Sequence, residues 1–330
     1  MTPIRWGIIG CGDVTEVKSG PAFAKAQGSA LIGVMRRTPA LAEDYARRHG
    51  VPKWYTDAEA LVRDPHIDAV YVATPPAQHR EYTLLGARYG KPVYVEKPMA
   101  MNHRECVQMN EACRAAGVPL FTAFYRRALP RFLAVKALVD DGSIGAVRAV
   151  SVTLSRRLLA FDGAVPWRLD PSVAGGGLFV DLASHTLDLL DFILGPVARA
   201  VGEAANQGHR YLAEDIVTAA LTFQSGVRGT GVWCFTADRD TDRVEIIGSA
   251  GRVTFSTFDE APVVLEAEKR TESFAVPHPP HVQQPLIQTI VDQLHGEGVC
   301  PSTGETGART SRVMDALLQS YYERGAAELM

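Results

Sequence analysis

Five segments of this chain, residues 4–9, 30–35, 69–73, 92–96 and 120–123, are short and almost wholly apolar rather than apolar at every second position. A strand with one face in water alternates, so a strand that does not alternate has to be covered on both faces. Helix-like stretches at 41–49, 81–89 and 104–116 separate these segments and supply the cover. Strand, helix and strand repeated in this way build a doubly wound parallel sheet, the Rossmann arrangement, in an α/β fold.

Beyond a helical stretch at 130–141 and the turn Asp141-Gly142-Ser143, the pattern changes to longer alternating strands at 147–154, 216–223, 226–234, 242–247 and 252–255. Turn signals such as Gln224-Ser225-Gly226 and Gly248-Ser249-Ala250-Gly251 lie between them. This half reads as an antiparallel sheet with a few helices. The expected division is a dinucleotide-binding domain over 1–123 and a second domain over 124–330, with the final helix, at 308–322, as structural support near the junction. A chain of 330 residues suits two cores, and 46% hydrophobic residues is ordinary globular composition.

A formal charge of −3 leaves no basic excess for a nucleic-acid backbone. Cys11, Cys106, Cys113, Cys234 and Cys300 form no C-x-x-C pair and no zinc-type cluster, so they are expected as reduced thiols in a cytoplasmic protein without a metal. The apolar stretch 178–194 is interrupted by Asp181, His185, Asp188 and Asp191, and neither a membrane span nor a signal peptide is expected.

Gly10-Cys11-Gly12-Asp13-Val14-Thr15 follows the first strand and opens a helical segment. Gly10 permits a tight turn, and Gly12 lets backbone N–H groups approach a pyrophosphate, so Gly10, Gly12, Asp13 and Val14 are candidate cofactor contacts. Thr15 occupies the place of the third glycine in that pattern. At the end of the second strand, where an acidic residue would hold a free ribose 2′-hydroxyl, stand Arg36 and Arg37. Guanidiniums hold a 2′-phosphate bidentately, so NADP is expected, with NAD as the alternative. The competing account makes both arginines solvated loop charges.

Val93-Tyr94-Val95-Glu96-Lys97-Pro98 resembles the E-K-P strand end of the Gfo/Idh/MocA oxidoreductases. Gly10-Cys11-Gly12, Ala73-Thr74-Pro75-Pro76 with His79, Trp167-Arg168, Gly175-Gly176-Gly177 and Asp181-x-x-x-His185 match in order and spacing. The resemblance implies a Rossmann domain followed by an α/β domain with a large open, mostly antiparallel sheet used for oligomerisation, as a homodimer or homotetramer. It implies NAD(P)-dependent hydride transfer at a hydroxyl-bearing carbon or carbonyl of a sugar, polyol or cyclitol. Thr74, Pro75, His79, Glu96 and Lys97 become candidate cofactor contacts, and Lys97 the lysine that contacts the reacting oxygen, with Asp181 and His185 completing the site.

These residue types suit that chemistry. An imidazole titrating near neutrality exchanges the hydroxyl proton, and an ammonium stabilises developing alkoxide charge. His185 is read as the acid/base, Lys97 as the oxygen-stabilising group and Asp181 as an acceptor for a substrate hydroxyl; exchanged proton roles for Lys97 and His185 fit equally. Four apart on a helix, Asp181 and His185 share a face bordered by Leu178, Leu182, Leu189 and Ile193, with Asp188 structural. Tyr125, Trp167 and Arg168 are weaker candidates for a substrate wall, and His79, His281 and Gln284 for cleft lining. Two other functions remain open: a redox-neutral, NAD-dependent glycoside hydrolase and a non-catalytic nicotinamide-binding sensor.

Overall fold

The computed structural model describes residues 2–268 and 270–328. Two sheets organise it. The first contains β1 (Ile4–Ile9), β2 (Ser29–Met35), β3 (Lys53–Tyr55), β4 (Ala69–Val72), β5 (Val93–Val95) and β6 (Leu120–Thr122) in the order β3-β2-β1-β4-β5-β6. Every neighbouring pair is parallel. All residues of β4, β5 and β6 are buried, as the unbroken apolar runs require.

Chain order reverses direction between β1 and β4, and ligands of doubly wound sheets bind beyond the carboxyl ends of the strands at such a point. The three-residue β3 and the helix Ala58–Arg63, capped by Asp57 accepting from the Ala60 N–H, carry too few residues for a periodicity signal.

The second sheet contains β7 (Val147–Arg157), β8 (Val197–Ala205), β9 (Ile216–Phe223), β10 (Arg228–Ala237), β11 (Thr241–Gly248), β12 (Gly251–Phe255), β13 (Val263–Ala267) and β14 (Arg270–Phe274). Their order is β14-β13-β12-β11-β7-β10-β9-β8, with only the pairing of β7 and β10 parallel among the described residues. Residues of β9 and β10 alternate between buried and outward-facing, so the sheet has one covered face and one open one. Alanine-rich β8, the five-residue β13 and the short, charged β14 escape the sequence reading because they are poor in β-branched residues, too short for a clear period or polar in composition.

The compact units differ from contiguous halves at 1–123 and 124–330. One unit runs to Leu129 and takes up Pro279–Ala308, and the other contains Pro130–His278 and the helix from Arg309 onward. Hydrogen bonding explains the return of Pro279–Ala308. Ser302 Oγ donates to the Thr122 carbonyl at 2.7 Å, Phe121 bridges to Thr303 beside β6, and Gln288 Oε1 accepts from the Gln27 N–H at 2.7 Å.

Candidate active site

In the first unit the turn after β1 has the expected form. Gly10 has φ +89°, and a Cβ there would lie 2.7 Å from Thr74 Cγ2, so only glycine fits where the loops after β1 and β4 meet. A Cβ on Gly12 would meet nothing nearer than the Gly10 carbonyl at 4.0 Å, so this turn is open on the side where its backbone would face a ligand. The helix that follows is one turn long, Asp13–Val17, and restarts at Gly20. Thr15 in the third position is buried and donates its hydroxyl to the Gly12 carbonyl at 2.7 Å, bracing the turn with a bond that glycine lacks. Arg36 Nη1 donates to the Cys11 carbonyl at 3.3 Å, which ties the end of β2 to the same turn, while Arg37 is exposed. An open glycine turn with a guanidinium beside it fits a dinucleotide.

Two residues expected against a cofactor serve the protein's own framework instead. His79 is buried, with Nε2 2.7 Å from the Thr74 carbonyl and Nδ1 3.0 Å from the Pro98 carbonyl, so it clasps the loops after β4 and β5. Burial lowers the pKa of this ring. Glu96 is also buried. Its Oε1 accepts from the Tyr71 hydroxyl and, at 2.6 Å, from Gln283 Nε2, and its Oε2 accepts from the Lys97 N–H at 3.1 Å. Neither side chain has the exposure to line a binding surface, whereas Thr74, Pro75 and Lys97 are half-buried at the strand ends. Gln284 is half-buried on the helix Gln284–Leu294, but the fully buried Gln283 reaches Glu96. His281 Nδ1 donates to the Val17 carbonyl at 2.7 Å, a tie to the helix after the glycine turn.

The second unit gathers Trp167, Arg168, Asp181 and His185 into neighbouring elements. Arg168 stacks on Trp167, with its guanidinium carbon 4.4 Å from the ring centroid, and its Nε lies 4.0 Å from Asp181 Oδ2. Tyr125, by contrast, belongs to the first unit and is buried, with the Arg126 guanidinium 5.0 Å from its ring centroid.

Asp181 and His185 are not on one regular helix. Phe179–Ala183 is a π turn, and the α-helix Ser184–Leu194 begins after it, so His185 stands in the first α turn. π turns carry an extra residue per turn and are frequent at functional sites. The extra residue also breaks the expected apolar stripe. Leu178 and Leu182 are only half-buried, Phe179, Val180 and Ala183 take the core positions, and the helix that follows is buried almost all round.

The glycines ahead of the π turn are there for close packing rather than flexibility. A Cβ on Gly177 would lie 2.8 Å from the Glu214 carbonyl oxygen. The Gly177 N–H donates to Glu214 Oε1 at 2.9 Å, and the Tyr322 hydroxyl donates to Oε2 at 2.6 Å. Burial pushes the Glu214 carboxyl above its ordinary pKa, against these two bonds, which favour the charged form. Asp188 is structural, as expected: it is fully buried, and Thr310 Oγ1 donates to it at 3.4 Å.

His185 also has a neighbour that sequence reasoning missed. The Phe258 ring stands edge-on, with centroids 6.0 Å apart, in a loop whose Thr257, Phe258 and Asp259 N–H groups all donate to Asp242.

Comparison with known proteins agrees with this architecture. Residues 4–124 match the model of the oxidoreductase family with an NAD-binding Rossmann fold, and residues 132–254 match the GFO/IDH/MocA C-terminal domain. An oxidoreductase of Formosa agariphila is 39% identical over 94% of this chain and 97% of its own. The 1,5-anhydro-D-fructose reductase of Ensifer adhaerens is 30% identical over 98% of each chain. The crystal structure of aldose-aldose oxidoreductase from Caulobacter crescentus complexed with glycerol superposes with a TM-score of 0.86 at 25% identity, over 97% of this chain and 98% of that one.

Proposed function

The chain belongs to the GFO/IDH/MocA oxidoreductase family, and from that premise we propose that it interconverts a secondary alcohol and a carbonyl on a sugar, polyol or cyclitol, with NADP preferred over NAD. The observation that carries the reading is Lys97, half-buried at the carboxyl end of β5, its backbone N–H fixed by a buried carboxylate in a sheet whose glycine turn is open. Relatives named as reductases and dehydrogenases favour net hydride transfer over the hydrolase and sensor alternatives.

The bound nicotinamide supplies the hydride acceptor or donor. The backbone of Gly10, Gly12, Asp13 and Val14 would hold its pyrophosphate, Arg36 and Arg37 a 2′-phosphate, and Thr74 and Pro75 the approach to the nicotinamide end. Lys97 stabilises negative charge on the reacting oxygen, and His185 takes up or supplies the hydroxyl proton. Asp181 accepts from a neighbouring substrate hydroxyl, with Arg168 Nε 4.0 Å from its Oδ2. Trp167 offers an aromatic face to the C–H side of a ring.

The open sheet face is our candidate for self-association into a homodimer or homotetramer. Val201, Ala220 and Thr230 lie side by side across β8, β9 and β10, and all three are exposed. Free thiols at all five cysteines and the lack, among the described residues, of a helix long and apolar enough to cross a membrane support the cytoplasmic assignment.

The deciding assay follows NADPH absorbance with 1,5-anhydro-D-fructose and a panel of aldoses, ketoses, polyols, cyclitols and glycosides, for the wild type and Lys97→Met. Turnover of at least one compound, falling by about 10²–10³ in the variant with NADPH binding retained, is expected. Unchanged turnover in the variant removes Lys97 from the mechanism, and glycoside cleavage without net cofactor change installs the hydrolase reading.

A further inference from the structure

We propose that Gln283 is a positioning residue for Lys97, acting through Glu96 from a segment nearly two hundred residues further along the chain. The inference rests on the reading of Lys97 given above. Three buried side chains and the Lys97 N–H form one directed hydrogen-bond chain. The Tyr94 hydroxyl donates to Gln283 Oε1 at 2.8 Å, Gln283 Nε2 donates to Glu96 Oε1 at 2.6 Å, and Glu96 Oε2 accepts from the Lys97 N–H at 3.1 Å. Tyr71, paired with Tyr94 across β4 and β5 and stacked on it with centroids 4.9 Å apart, gives Glu96 Oε1 its second donor.

A carboxylate accepts only, and a glutamine in this place has to present its oxygen to the tyrosine and its nitrogen to the glutamate. Direction is therefore fixed along the whole chain. Gln283 lies wholly inside the protein, where losing its amide donor leaves Glu96 Oε1 with the Tyr71 hydroxyl as its remaining donor among the described residues.

Gln283 also takes part in fixing the other side of the cofactor half-site. Its N–H donates to the Lys18 carbonyl at 3.3 Å, two residues from His281, whose ring holds the Val17 carbonyl. One short segment thus joins the chain just beyond the glycine turn to the strand end that carries Lys97. The ionisable groups facing this chain are Glu96, Tyr71, Tyr94 and His79, with Cys300 and Tyr125 next to Tyr94.

The test uses the full chain in four forms: wild type, Gln283→Leu, Gln283→Glu and Lys97→Met. Gln283→Leu removes the donor and keeps the bulk. It is expected to lower kcat about tenfold or more on the compound found in the panel, with KM and the Kd for NADPH within about twofold, and to raise hydrogen exchange at the Lys97 amide about tenfold.

Gln283→Glu keeps the shape and donates only while protonated. Its kcat and Lys97 amide protection should approach wild type in mild acid and fall as pH rises and the new carboxyl ionises beside Glu96. A merely structural contact does not produce that pH dependence. Wild-type kcat and exchange in Gln283→Leu, or a wild-type pH profile in Gln283→Glu, would overturn the proposal. Lys97→Met separates this from the parent reading: full turnover in that variant sinks the role of Lys97, while amide exchange in the Gln283 variants still reports on the link.

Discussion

Arg309 donates two hydrogen bonds to Asp191, from Nε at 2.8 Å to one carboxylate oxygen and from Nη2 at 2.6 Å to the other. The pair joins the long helix Gly304–Glu328 to the helix Ser184–Leu194 that carries His185, and the Asp191 side chain is only 5% exposed. Removing one partner of such a pair leaves a buried charge. Because Arg309 is itself 36% exposed, we expect Arg309→Met to cost about 2–3 kcal/mol, less than a fully buried pair would. A fall in the urea midpoint with an unchanged slope is the measurement, and a midpoint equal to wild type would contradict it.

Glu214 gives a pH prediction of definite sign. Its folded pKa is raised above the ordinary 4.5, so the folded state binds the proton more tightly than the unfolded chain does. The contribution to stability is full below about pH 4.5 and is lost as pH rises through the folded value. Glu214→Gln should flatten the dependence of Tm on pH in that window, by roughly 1 kcal/mol for each pH unit crossed. Identical Tm profiles for the two proteins would show that Glu214 titrates normally.

For His185, the expectation is kinetic. His185→Asn keeps a polar side chain of similar reach without an exchangeable proton near neutrality, so kcat should fall by about 10²–10⁴. Any limb of the kcat pH profile that reports the His185 imidazole should vanish with it. Should that limb persist in the variant, the proton belongs to Lys97 or to water.

Cofactor choice is read at Arg36 and Arg37. A charge-assisted bond contributes about 1.5–3 kcal/mol, so the double change Arg36→Ala with Arg37→Ala should raise the Kd for NADP by at least about tenfold. The Kd for NAD should stay within about threefold, because it lacks the 2′-phosphate. Equal weakening of both, seen in nicotinamide fluorescence titrations with the reduced forms NADPH and NADH, would return the arginines to the role of surface charges.

The parallel sheet was legible because each strand is apolar through its whole length and the turn chemistry of Gly10 and Gly12 follows directly after β1. Motif order alone is what singles out Lys97, Asp181 and His185 as the proposed reacting groups. What escaped was whatever depends on residues far apart in sequence. No local signal marks Gln283, which sits in a coil between histidine and proline residues, and nothing in 256–260 announces a loop held by Asp242.

The π turn escaped for a related reason: a spacing of four reads as an α-helical face whichever kind of turn lies between the two residues. A partial signal did exist at Tyr71 and Tyr94. A hydroxyl placed in the same register of two otherwise aliphatic strands has to find a buried partner, and Glu96 stands at the end of one of them.

The return of Pro279–Ala308 to the first unit gives synthesis an order. A chain emerging from the ribosome completes β6 long before residue 279 exists, so the nascent Rossmann sheet waits with Glu96 lacking its amide donor and β6 lacking its bridge. The second unit is interrupted in the same way, since Asp191 receives Arg309 only at the end. The first unit has all its residues only after 130–278 have been translated, and the second only after the first is complete, so an amino-terminal fragment ending at residue 129 lacks the segment that donates to Glu96 and bridges β6.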